Sequence, residues 1–187
     1  MSDNYKIAFV PLPDRVPGLL YEPDLLGRKS KIGIVLMHSD ESYLGFLPAP
    51  ELAKRGYRVL TAVVADDKST LDDKMLDVKR AVDFLKSYPG IEKVLLLGHS
   101  GGATLMSAYQ CVAENGAKVF QGPEKLIPCG LAEELTAADG VMFLDSNFGN
   151  GAMTLFSLDP AIEEEFNGTR RNPKLDLFNM DHGFHPD

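Results

Sequence analysis

The chain has 187 residues, 44% of them hydrophobic and 25% charged, enough apolar material for one domain with a sizeable core. A net charge of −8 with no Lys/Arg stripe argues against a nucleic-acid surface, and the two cysteines, Cys111 and Cys129, are too few for a disulfide framework and lie in no metal spacing. The opening MSDNYKIAFVPLP lacks the basic and apolar regions of a secretory signal, and no run approaches the roughly 18 apolar residues of a membrane span, so the expectation is a soluble, cytoplasmic protein that engages no membrane.

Residues 5–12 and 18–21 are short apolar stretches divided by Pro11, Pro13 and Pro17, the pattern of edge strands or a meander. KIGIVLMH (31–38) is a nearly continuous apolar and β-branched run, as in a strand buried on both faces. Pro48 and Pro50 open a short helix that runs through Arg55 and closes at Gly56, and YRVLTAVV (57–64) is the next buried strand. From 71 to 87 the residues Leu71, Met75, Val78, Val82 and Leu85 fall at helical spacing, with Asp72 and Asp73 near the start, where the helix dipole favours negative charge. Pro89-Gly90 ends that helix. KVLLL (93–97) reads as a strand, ATLMSAYQCVAEN (103–115) as a helix stopped at Gly116, LAEELTAAD (131–139) as a short helix and GVMFLDS (140–146) as a fourth buried strand.

This alternation predicts an α/β fold: a mostly parallel sheet with helices on both faces. Past Ser146 the pattern stops, and about forty residues rich in Gly, Asn, Pro and charge contain no further buried strand. The expected organisation is therefore a core over residues 1–146 and an irregular tail over 147–187. A compact domain rarely carries so long a stretch without a function or a missing neighbour.

Between the strand at 93–97 and the helix at 103–115 stands GHSGG (98–102). Gly-x-Ser-x-Gly between a strand and a helix forms a sharp, strained turn that exposes the serine hydroxyl above the sheet. The helix N-terminus favours developing negative charge there, and the N–H of Gly101 points to where a tetrahedral oxyanion forms. The stretch lacks the Lys-Ser/Thr of a phosphate-binding loop and the Gly-x-Gly-x-x-Gly of a dinucleotide site, and nothing in the sequence calls for a cofactor or a metal. Upstream, IVLMHSDESYLGF leaves its strand at His38 and enters a loop. Over residues 30–146 the chain resembles the α/β-hydrolase family, whose members commonly have His-Gly at this strand end and Gly-x-Ser-x-Gly after a later strand. The resemblance implies Ser100 as nucleophile, Gly101 as one oxyanion donor, and Asp40 or Ser39 as the other through its main chain. Ser39 stands where the family usually has glycine. His99 and His38 are read as a packing residue and a loop buttress.

A serine hydroxyl needs a histidine to take its proton and a carboxylate to orient that histidine. In the family the order is Ser, acid, His, and His182 and His185 are the histidines that follow Ser100. Two readings follow. The chain is a minimal hydrolase using Asp145 with His182 or His185, or it is the N-terminal part of a longer α/β-hydrolase without its last strands. In the second, 147–187 begins a lid or a partner-contacting segment, and a second polypeptide supplies the acid and the histidine as one half of a heterodimer. The tail's lack of a buried strand favours the second, and that partner then covers the sheet edge.

The expected chemistry is acyl-enzyme hydrolysis of an ester-like bond (ester, thioester, lactone or amide) in a small-molecule substrate. The competing class is a non-catalytic binding or regulatory subunit that keeps the elbow. Tyr43, Leu44, Phe46 and Leu47, with Met153, Leu155, Phe156 and Leu158, are core or interface residues, or else line a pocket for an apolar acyl or alcohol group. Asp40 and Glu41 either face solvent or favour a cationic or hydroxylated substrate.

Overall fold

The computed structural model describes residues 4–125, 129–132, 134–164 and 166–185. Strands β1 (Tyr5–Pro11) and β2 (Pro17–Pro23) pair antiparallel, and four more follow: β3 (Ile32–Met37), β4 (Arg58–Ala62), β5 (Lys93–Ser100) and β6 (Gly140–Ser146). The sheet order is β1-β2-β4-β3-β5-β6, with β2 antiparallel to β4 and the last four strands mutually parallel. Three helices cover it: α1 (Pro48–Lys54), α2 (Leu71–Ser87) and α3 (Gly101–Asn115).

Strand alternation divides the core into two layers. Val35, Met37, Leu60, Val94 and Leu96 pack with Met75, Val78, Val82 and Leu85 of α2 and Leu105, Met106, Tyr109 and Val112 of α3. Ile34, Leu36, Val59 and Leu97 point to the other face, toward Tyr21 and Ala49 and Ala53 of α1. This two-sided burial is why β3, β4 and β5 read as unbroken apolar runs. Helix α2 starts where the sequence places it because Thr70 is its N-cap: the Thr70 hydroxyl accepts from the N–H of Asp73 at 3.3 Å and donates to that residue's carboxylate at 2.8 Å.

Two expectations fail. LAEELTAAD is not a helix in its described residues, although Leu131, Leu135 and Ala138 are buried as its helical spacing suggested. Side chains of α3 take its backbone groups instead. The Tyr109 hydroxyl donates to the Thr136 carbonyl at 2.6 Å, and the Gln110 amide exchanges two 3.0 Å hydrogen bonds with the main chain of Ala138. Nor is β6 a buried strand: Phe143 is 57% and Leu144 42% exposed, because among the described residues β6 pairs only with β5 and forms an edge of the sheet.

The chain divides into two contact units, the first ending at Asn147 and the second running from Phe148. The second holds helix α4 (Asn150–Ser157), a short 3-10 turn at Met180–His182, and a bridge between Ile162 and Arg171. Within it Ala161 is fully buried and Arg171 lies 2.9 Å from the Asp159 carboxylate and 3.0 Å from that of Asp176. Phe148, Leu155, Phe156, Leu158 and Phe178 are exposed in it. No helix among the described residues is long and apolar enough to cross a membrane.

Candidate active site

Strand β5 ends in Ser100 and α3 begins at the next residue. Ser100 has φ 51° and ψ −121°, a conformation that a residue with a Cβ adopts only under constraint, at about 1–3 kcal/mol. The constraint comes from the glycines on either side. A Cβ on Gly98 would lie 2.4 Å from Ala103 Cα and 2.5 Å from the Gly102 carbonyl oxygen. One on Gly102 would lie 2.3 Å from the carbonyl oxygen of Met37, the last residue of β3. The start of α3 therefore rests on the backbone ends of β3 and β5, and the whole reversal is made at Ser100. The pairing of β5 with β6 shifts register between His99 and Ser100, at the same point. The first N–H groups of α3, Gly101's among them, have no acceptor within the helix and carry the positive end of its dipole.

The loop after β3 faces this turn. His38, 8% exposed, accepts the N–H groups of Asp40 (3.1 Å) and Glu41 (2.9 Å) at Nδ1. Two donors on Nδ1 place the ring proton on Nε2. Burial lowers the pKa of His38 despite the nearby Asp40 and Glu41 charges, so the ring is held neutral. Of the two main-chain donors expected from this loop, Asp40's is thus turned onto His38. Ser39 stands against the turn: its Oγ lies 2.7 Å from where a Cβ on Gly101 would be.

Three elements pin the loop. Lys74 of α2 donates to the Asp40 carboxylate and to the Asp67 carbonyl, each at 2.7 Å. That ammonium, with the Ser39 hydroxyl, holds the Asp40 carboxyl below the usual carboxylate range. The Leu44 carbonyl accepts from the Tyr21 hydroxyl of β2 at 2.6 Å and from the Thr61 hydroxyl of β4 at 3.0 Å. Tyr43 stacks between His38 and Phe46, with centroids 4.7 and 4.3 Å away, and its hydroxyl lies 2.6 Å from His99 Nδ1.

His99 Nε2 is 3.9 Å from the Asp145 carboxylate. The 2.6 Å hydrogen bond between the Tyr43 hydroxyl and His99 Nδ1 ties the two side chains together. His99 is therefore part of a polar chain rather than only a packing residue. Asp145, 90% exposed with φ 48°, is the last residue but one of β6, next to Ser146, which pairs with Ser100. His182 and His185 both lie exposed in the second unit, His182 closing its 3-10 turn. Among the described residues no cluster of three or more His, Cys, Asp or Glu is placed to hold a metal. A cavity of about 400 Å³ lies at the C-terminal end of α3, lined by Val112, Gly116, Leu131 and Leu135, and does not border Ser100.

Two residues of this arrangement had a signal in the sequence that went unused. Lys74 falls three residues after Leu71 and four before Val78, on the apolar stripe, where a lysine needs a partner. Tyr43 lies in an apolar stretch, but a half-buried tyrosine hydroxyl seeks an acceptor.

No protein-family model matches the sequence, and no curated protein matches it significantly. Solved structures do. Esterase B from Lactobacillus rhamnosis, whose crystal structure is described with a C4-C4 sn3 tributyrin phosphonate, superposes with a TM-score of 0.61 at 16% identity, over 78% of this chain and 50% of that one. A bacterial heroin esterase gives 0.52 at 16% identity, over 62% of this chain and 42% of that one. At such identity the likeness is one of fold, and the fold is that of the α/β-hydrolases: a mostly parallel six-stranded sheet flanked by helices. The chain spans about half the length of the structures it matches.

Proposed function

We propose that this chain is the nucleophile-bearing part of a serine hydrolase that cleaves an ester-like bond in a small molecule through an acyl-enzyme. The observation that carries this reading is the backbone of Ser100, held at φ 51° between two glycines that no larger residue can replace, at the N-terminus of a helix. Strain of this kind, with no hydrogen bond from the serine side chain to cap the helix, is explained by the need to present a hydroxyl. Ser100 Oγ attacks the carbonyl carbon while a histidine takes its proton. The oxyanion rests on the N–H groups of Gly101 and Ser39, each contributing about 3 kcal/mol. The leaving group departs with the proton from the histidine, and water, activated by the same histidine, releases the acid and restores Ser100.

That histidine comes from outside the first unit. His38 Nε2 carries a proton and His99 Nδ1 is engaged by the Tyr43 hydroxyl, so in our reading neither is the base for Ser100. In our reading the acid and base belong to a second polypeptide or further segment that adds strands along the edge of β6. Tyr43 and Phe46, packed on His99 beside the nucleophile, suit an apolar acyl group, as do the esterase names of the matched structures.

Fluorophosphonate labelling with mass determination tests this directly. Ser100 is expected to be the labelled residue, Ser100→Ala to abolish labelling, and labelling to depend on a co-purifying polypeptide. Labelling of the 20.5 kDa chain alone would move the triad into this chain and make His182 and His185 the next residues to replace. An unlabelled but ligand-binding Ser100 in every preparation would identify a non-catalytic subunit.

A further inference from the structure

We propose that the His38 side chain is itself a donor of the oxyanion site, its Nε2–H meeting the substrate's carbonyl oxygen beside the N–H of Gly101. This rests on the assignment of Ser100 as nucleophile and adds a residue that the sequence reading treated only as a buttress.

Three observations converge on that nitrogen. The two main-chain donors on Nδ1 leave the ring proton on Nε2. The Cε1–Nε2 edge of the ring faces the nucleophile turn, both atoms lying 3.4 Å from where a Cβ on Gly101 would stand. Finally, His38 is more than nine-tenths buried, and Nε2 has no hydrogen-bond partner among the described residues. No buried side-chain nitrogen in the described residues is left unsatisfied, so Nε2 is reached by solvent. An N–H on a buried ring, edged against the turn, is a donor without an acceptor until a ligand arrives.

The ring is also rigid, as an oxyanion donor must be to act without reorganisation. Tyr43 stacks on one face at 4.7 Å, and the two N–H bonds fix its rotation. The charged and titratable groups around it are Asp40, Glu41, Lys74 and His99, and Lys74 neutralises the nearest carboxylate. In the reaction His38 keeps its proton: as Ser100 Oγ bonds to the carbonyl carbon and the C=O π pair moves onto oxygen, Nε2–H shortens its hydrogen bond to that oxygen.

Asparagine and glutamine separate this role from buttressing. In His38→Asn the side-chain oxygen replaces Nδ1 as acceptor for the loop, and the donor is lost. In His38→Gln an amide N–H reaches the position of Nε2, and the acceptor is lost. In the active assembly, His38→Asn is expected to stay folded and to label about 100- to 1,000-fold more slowly with fluorophosphonate. His38→Gln is expected to label faster than His38→Asn while melting lower. Labelling of His38→Asn within threefold of the parent, or the opposite ranking, would overturn the proposal.

A second measurement needs no reactive serine. In ¹⁵N-histidine-labelled Ser100→Ala protein titrated with sodium butyrate, the Nε2 resonance of His38 is expected to shift while Nδ1 stays unprotonated. No shift, or a proton on Nδ1, refutes the donor role even if His38→Asn fails to fold. If the parent protein is never labelled but butyrate moves Nε2, the hydrolase reading fails and the anion-binding histidine stands.

Discussion

Replacing Ser100 by glycine is expected to stabilise the fold while removing the proposed nucleophile. At φ 51° and ψ −121° a residue with a Cβ is strained by about 1–3 kcal/mol, whereas glycine enters this region freely. Against that gain, glycine adds about 0.5–1 kcal/mol of unfolded-state entropy. The Ser100 side chain makes no capping hydrogen bond, so little else is lost. The net expectation is about 0.5–2 kcal/mol of added stability, or roughly 2–6 °C in Tm for a chain of this size. Alanine keeps the Cβ and therefore the strain, and Ser100→Ala is expected within about 0.5 kcal/mol of the parent. Urea unfolding of the three proteins at constant m value, with thermal scans, reads the difference directly. The decisive comparison is glycine against alanine, since both lack the hydroxyl. If the glycine variant is no more stable than the alanine variant, the strain is not at Ser100 and the account of the turn is wrong.

Gly102→Ala forces a Cβ to within 2.3 Å of the Met37 carbonyl, a backbone atom with nowhere to go, and is expected to cost more than about 3 kcal/mol or to leave no soluble protein. Gly101→Ala meets mainly the movable Ser39 hydroxyl and should fold, which circular dichroism and melting of the pair will check. Lys74→Met removes the ammonium from Asp40 and the Asp67 carbonyl; the expected loss is about 1 kcal/mol, with the Asp40 carboxyl rising toward its ordinary range in an NMR titration. Asp139 is held down to a pKa of about 2 by its hydrogen bond from Lys93, with a second from the Val94 N–H. A depressed carboxyl stabilises the fold above its unfolded pKa and ceases to as pH falls through the folded one. The contribution, about 1–2 kcal/mol after screening, should therefore fade between about pH 4 and pH 2. Asp139→Asn should flatten that part of the stability profile, and an unchanged profile would contradict it.

What the sequence disclosed follows from how local each signal is. Helix α2 was legible to its ends because its stripe, its Asp72-Asp73 start and its Pro89-Gly90 stop all lie within one stretch. The elbow was legible because Gly98 and Gly102 are required by contacts with residues at most five away, or with the end of the neighbouring strand. LAEELTAAD misled because its apolar spacing fits a helix, while what decides its shape is hydrogen bonding from Tyr109 and Gln110, more than 25 residues earlier. The exposure of β6 depends on which strand flanks it, and an apolar run cannot announce that it lies at an edge. The loop after β3 stands beside the turn, and which of its N–H groups is free there depends on the rotation of the His38 ring. No spacing rule encodes that.

The distribution of protons explains how the candidate site divides its labour. Every group around Ser100 in the first unit is arranged to donate or to hold still. Gly101 presents an N–H on a helix start, His38 is locked with its proton on Nε2, and Tyr43 and His99 Nδ1 share a 2.6 Å hydrogen bond. Donors of this kind suit negative charge on an incoming oxygen rather than removal of a proton from Ser100. In serine hydrolases the oxyanion and binding part alone retains about 10³–10⁴ of acceleration over water, and the remainder is lost with the base. The first unit should accordingly behave as a preformed electrostatic half. On the proposed reading its serine gains full reactivity when a histidine with a free lone pair is brought to it, and the edge of β6, beside Asp145 and one strand from Ser100, is where we propose that added strands deliver one.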